Sequence, residues 1–241
     1  MKPLLFMHIH KTAGQSFADY LKEQFPPEEI CPCDFEWDLL SREPEELKRY
    51  RLFRGHISMP ALARKIPEFD AVTLLRHPHD RLISAFHYWR SLASRKEPNI
   101  PLLFYEMLGM TFAEFLTSPI TRPCVDNVQA RLLCGANYGE TNEVRTMVYG
   151  YMDQVPWNRF VHVGLSECLE RSIHAVAARY GWTARPPRTI NVGPKASTPT
   201  DEERALMERV TGHDMQVYNH VSRSSAGCLS PESSGKFRLA H

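Results

Sequence analysis

The chain has 241 residues, 43% of them apolar and 24% charged, a balance that suits one large α/β domain with a full core. A formal net charge of +1 and an isoelectric point near 7.7 provide no basic excess for nonspecific binding to nucleic acid or an acidic membrane, so any anion site has to be local. No run approaches the ~18 uninterrupted apolar residues of a membrane span, and the first strand pattern opens at Pro3 with no room for a cleavable leader, so a cytoplasmic protein is expected.

Leu4 to Ile9, apolar apart from His8, has the length and continuity of a strand buried on both faces. Ser16 is placed to cap the helix that follows, where Phe17, Leu21 and Phe25 share a face until Pro26-Pro27 ends it. Residues 28 to 50 are acidic and irregular, with a short helix predicted around Glu45 to Tyr50. A short strand, Leu52 to Arg54, precedes Gly55-His56, and Ala71 to Leu75 forms a second clear strand. Pro78 then takes a first helical position with Asp80 in the first turn, and Leu82, Phe86, Trp89 and Ala93 follow at helical spacing. Cys31-Pro-Cys33 lacks the two-residue gap of zinc or thioredoxin motifs, so free thiols are expected.

From 99 to 156 the pattern is mostly helical, with Val128 and Leu132 on one face and Val144, Val148, Tyr151 and Val155 on another. Phe160 to Gly164 reads as a third strand before a helix carrying Leu169, Ile173, Ala177 and Tyr180. Thr200-Asp-Glu-Glu203 is a capping-box pattern opening a helix with Leu206 and Val210 on its buried side. Strands alternating with helices predict an α/β fold in three layers, a mostly parallel sheet covered on both faces. One domain over residues 1–221 is expected, with a loosely ordered Ser- and Gly-rich tail over 222–241.

The corner after the first strand holds Lys11, Thr12, Ala13, Gly14, Gln15 and Ser16. A parallel strand turning into a helix presents backbone N–H groups and a positive dipole end at the carboxyl edge of the sheet, where open α/β folds bind ligands. Lysine adds a point charge, the hydroxyls add donors, and Gly14 permits close approach of backbone. The layout is P-loop-like, yet the order of G-x-x-x-x-G-K-[ST] is absent. The same residues also read as a solvated lysine with two helix caps.

A second corner follows. Arg76 ends the strand, and the next helix sets Arg81, Ser84 and Tyr88 within about a sixth of a turn of each other. Arg76 and Ser84 suit a second phosphate, the arginine fork by bidentate contact. Local surface charge is the plainer reading of Arg81 and Asp80. Two anion corners on neighbouring strands suggest a nucleotide with phosphates at two separated positions, neutralised by side chains.

HIHKTAGQS (8 to 16) resembles the H-I-P-K-T-A-G-T-S signature of sulfotransferases, particularly the carbohydrate type related to heparan sulfate 2-O-sulfotransferase. LRHPHDRLISAF (75 to 86) is similar to their L-R-D-P-x-x-R-L-x-S-x-[FY] motif, and weaker likeness through RGHIS, DNVQARLLCG, VGLSE and INVGP extends the resemblance over about residues 4–221. The resemblance implies that the donor is 3′-phosphoadenosine 5′-phosphosulfate and the product 3′-phosphoadenosine 5′-phosphate, with no metal. Lys11, Thr12, Ala13, Gly14, Gln15 and Ser16 would hold the 5′-phosphosulfate, with Lys11 assisting departure of the bridging oxygen, while Arg76 and Ser84 would hold the 3′-phosphate. His56 matches a family histidine that acts as base toward an acceptor hydroxyl on a carbohydrate or small metabolite.

The chain departs from the family at His10, where the relatives carry proline, and at Arg54, where close relatives carry another histidine. The second departure leaves the acceptor class open. Asn191 and Lys195 correspond to a closing loop in relatives, or form an ordinary turn beside Gly193-Pro194. Asn127, Gln129 and Arg131 either reach the acceptor or form the polar side of a helix. A P-loop nucleotide kinase and a noncatalytic nucleotide-binding relative are the alternative readings.

Overall fold

The computed structural model describes residues 1–96, 102–136, 155–187, 198–223 and 228–229. Strand β1 (Leu4–Met7) runs into α1 (Gly14–Lys22); the short α2 (Glu36–Ser41) and α3 (Pro44–Leu47) precede β2 (Leu52–Gly55), α4 (Met59–Lys65), β3 (Asp70–Leu75) and α5 (Pro78–Ser94). Helices α6 (Leu102–Glu106), α7 (Phe112–Thr117), α8 (Arg122–Val125) and α9 (Val128–Leu133) lead to β4 (Phe160–Leu165). Then come α10 (Leu169–Tyr180), α11 (Asp201–Val210), α12 (Gly212–Arg223) and the two-residue β5 (Cys228–Leu229).

Four parallel strands lie in the order β2-β1-β3-β4, and β5 adds a short antiparallel pairing to β4. All four residues of β1 are buried because the strand is central and covered on both faces. The two-residue period divides its side chains. Leu4 and Phe6 pack with Phe17 and Leu21 of α1 and with Ile173 and Val176 of α10. Leu5 and Met7 turn the other way, toward Leu62 of α4, Leu132 of α9 and Val217 of α12. Each such large side chain, fully buried, contributes about 1.5–3 kcal/mol of transfer free energy. A third cluster joins Leu82, Phe86 and Trp89 of α5 to Phe115 of α7 and Met207 of α11.

The predicted strands and the helix opening at Pro78 are present, with β2, β3 and β4 each one residue longer than expected. Thr200 and Glu203 form the expected reciprocal capping box. The first helix differs. It begins at Gly14, so Ser16 lies inside it, and the cap position falls to Ala13, which has no side-chain acceptor. Helix α12 was not expected, since only Val217 and Val221 mark an apolar face, and its last two residues, Ser222 and Arg223, fall inside the predicted tail. Val144, Val148, Tyr151, Asn191 and Lys195 lie outside the described residues.

Outside β2, the segment from Ile30 to Phe35 runs alongside in parallel, touching through Ile30–Leu52 and Phe35–His56 bridges. Cys31 N donates to Leu52 O and His56 N to Asp34 O, both at 2.8 Å. Gly55 makes this approach possible: its φ is +134°, and a Cβ there would run into the Asp34 carbonyl.

Candidate functional site

In an open parallel sheet the ligand crevice lies where strand order reverses, outside the carboxyl ends of the strands. Here that point falls between β1 and β3, so the His8–Ser16 turn and Arg76 leave the sheet side by side. They open on one cleft of about 650 Å³, lined also by Arg54, His56, Ser84 and Tyr88, with the carboxylates of Asp34, Asp80 and Glu167. Of the residues singled out in the sequence, Lys11, Ala13, Gly14, Gln15, Ser16, His56, Arg76 and Ser84 line this cleft; Thr12 does not. The Thr12 side chain is buried and its hydroxyl donates to Ile9 O at 2.9 Å, tightening the turn from within.

The turn is strained at two of its residues. Lys11 and Ala13 both adopt left-handed backbone conformations, at φ 66° and 60°, each costing about 1–2 kcal/mol for a residue with a Cβ. Such turns direct successive N–H groups into one concavity, and α1 offers its N-terminus there with no side-chain cap. The side-chain amide of Gln15 donates to Asp19 at 3.1 Å.

Lys11 Nζ lies 3.5 Å from the centroid of the Tyr88 ring. Burial, and then the neighbouring Arg76, brings its pKa down to about 8. Arg76 Nη1 donates to the Lys11 carbonyl at 3.3 Å, tying the two corners together. Gln129, fully buried, holds Arg76 from behind: its Oε1 accepts from Arg76 N and its Nε2 donates to Arg76 O, both at 2.9 Å.

At the other side of Lys11 the rings of His8, His10 and His56 form a column. The His10–His56 centroids are 3.7 Å apart and the His8–His56 centroids 4.9 Å, both stacked. His56 Nδ1 lies 2.7 Å from the His8 carbonyl; a carbonyl only accepts, so Nδ1 carries the proton and Nε2 holds the lone pair. Burial lowers the pKa of His56, sends His10 well below its ordinary value and, with the His56 ring next in effect, takes His8 down to about 3. All three imidazoles are therefore neutral at pH 7. The His8 ring fits only because position 14 is glycine, since a Cβ there would fall inside the imidazole.

Several residues behave differently from the sequence expectation. Arg81 is fully buried beneath the cleft and not part of a cationic face; its Nη2 donates to the Cys124 carbonyl at 3.4 Å, and Asp214 opposes its charge. Asn127, Gln129 and Arg131 form neither a solvent face nor an acceptor surface. All three are buried, and Asn127 Oδ1 accepts from the N–H groups of His213 and Asp214 at the start of α12. The Arg54 guanidinium forms an ion pair with Asp34. In the sequence His8 stands out only as the polar exception in the strand and His10 as a departure from the family proline, although H-I-H spacing puts both rings on one side of an extended chain. Gln129 left no such signal, because its partner is backbone.

Comparison with known protein families finds no match, and neither does comparison with curated proteins.

Proposed function

We propose that the protein is a sulfotransferase of P-loop-like fold that uses 3′-phosphoadenosine 5′-phosphosulfate as donor and an alcohol as acceptor. The observation that carries this reading is the meeting of the Lys11–Ser16 turn, Arg76 and His56 in one cleft. The strained turn and the uncapped α1 suit the 5′ end of the donor, and Arg76 with Ser84 suits its 3′-phosphate. When bound, the donor supplies an activated sulfuryl group.

His56 Nε2 accepts the acceptor hydroxyl proton as that oxygen bonds to sulfur. The bond from sulfur to the 5′-phosphate oxygen breaks, and its electron pair stays on that oxygen, where the Lys11 ammonium faces the charge. Alignment of the two groups and fixed charge supply the acceleration, without a metal.

Calorimetry with 3′-phosphoadenosine 5′-phosphate tests the donor site. Binding is expected for the native chain and the His56→Ala variant, and a loss of at least about tenfold in affinity for Arg76→Ala. Transfer of radiolabelled sulfuryl groups should persist in EDTA, whereas a nucleotide kinase would fail there. Native protein that binds ATP and magnesium in preference to the bisphosphate would overturn the proposal.

A further inference from the structure

The cleft has two ends. Strand order sets Arg76 and Ser84 at the β3 side and Ser166 and Glu167 at the β4 side, while Asp34, Phe35, Arg54 and His56 lie at the β2 side. With a donor held at the β1–β3 notch, the hydroxyl that meets His56 has to enter from β2. Phe35 lines the cleft there, 46% exposed, with its ring centroid 5.7 Å from that of His56. Trp37, 72% exposed, lies parallel to Phe35 at 5.9 Å and 12°. The two stacked, partly exposed rings, Phe35 in the cleft lining and Trp37 just outside it, form an aromatic ledge beside the base.

The charge around this platform narrows what it takes. Its segment reads Asp34-Phe-Glu-Trp-Asp38, three carboxylates around two rings. Glu36 is buried and accepts from Ser58 N at 3.1 Å, and Asp38 lies 3.5 Å from Arg42. Arg54 is engaged by Asp34. The cation beside the base is thus already matched by Asp34, and Arg42 is matched by Asp38, so an anionic acceptor would have to break an existing ion pair to gain one here. A polyanionic glycan therefore finds no uncommitted counter-charge in this pair of ion pairs, whereas an uncharged acceptor leaves both intact.

Resting on the sulfotransferase reading, we infer that Phe35 and Trp37 are the acceptor subsite and that the acceptor is an uncharged ring-bearing alcohol. Its ring lies against these faces and its hydroxyl points to His56, which takes the proton in the transfer already described. A phenol and a neutral sugar share this chemistry.

The test begins with calorimetry of the native chain and of Phe35→Ala and Trp37→Ala against 3′-phosphoadenosine 5′-phosphate. Failure of the native chain to bind overturns the donor reading, and this inference with it. Given binding, sulfuryl transfer is measured to 2-naphthol, to methyl β-cellobioside and to heparosan, an unsulfated polyanion. Transfer to either ring alcohol, with its KM raised about fivefold or more in each variant and the bisphosphate affinity unmoved, supports the subsite. Which of the two accepts identifies the source. Preference for heparosan, transfer to neither ring alcohol, or an unchanged acceptor KM in both variants overturns the inference while leaving the donor reading intact. Trp37 is exposed enough that its truncation leaves the core untouched.

Discussion

His56 and Lys11 titrate toward each other, and this makes their roles measurable. Burial holds the His56 pKa below its usual 6.5, so its lone pair persists into mildly acid solution; Lys11, brought to about 8, loses its charge in mildly basic solution. The donor kcat/KM profile, which reports the free enzyme, is expected to be bell-shaped, with an acid limb below 6.5 and a basic limb near 8. His56→Ala should lower kcat about a hundredfold or more and remove the acid limb. A profile that keeps this limb in the variant assigns the proton transfer elsewhere. Gln129 acts one step back as a positioning residue. Gln129→Leu leaves the N–H and C=O of Arg76 unpaired, at a cost of about 1–3 kcal/mol. The expected signature is a raised donor KM with a smaller change in kcat, read from initial rates. Gln129→Glu, which restores only the acceptor half of the clamp, should fall between the two.

At the level of elements, the Lys11–Ser16 turn and the histidine column are mechanically joined through a missing side chain. A Cβ at position 14 would occupy the His8 imidazole, so Gly14→Ala should cost about 1–3 kcal/mol through overpacking. His8→Ala in the same chain should recover most of that loss, a coupling that denaturant unfolding of the four-member cycle measures. Additive losses would mean that the backbone, rather than the ring, yields. These elements also show what a sequence reveals. Leu4–Met7 and residues 71–75 are buried on both faces and spell out as largely apolar runs, and the Pro78 and Thr200 starts are local chemistry within a few residues. The inward turn of Arg81 and Gln129 is set by residues some 43 and 53 positions away, Cys124 and Arg76, and no local pattern encodes it. The start of α1 was missed for a related reason. Ala13 caps it in a left-handed conformation that its own side chain disfavours, and the surrounding fold imposes it.

For the molecule as a whole, buried neutral histidines set the response to acid. The unfolded chain binds protons at these sites near 6.5, whereas folded His8 waits until about 3 and His162, enclosed on β4, until about 4. Between those values the unfolded state holds more protons, so stability present above 6.5 is lost as the pH falls. Both ring nitrogens of His162 lack a hydrogen-bond partner, so His162→Leu removes a titrating group away from the cleft. Chemical denaturation at pH 7.5 and pH 5 should show a steep loss in the native chain and a shallower one in this variant; equal slopes would assign the acid sensitivity to other groups. The Ile30–Phe35 segment has a consequence of another kind. By fastening along β2 through two separated bridges, it screens the flank of the sheet with a contour too irregular to template a neighbour. A chain trimmed through this stretch would bare a row of backbone donors and acceptors, and self-association would then compete with folding itself.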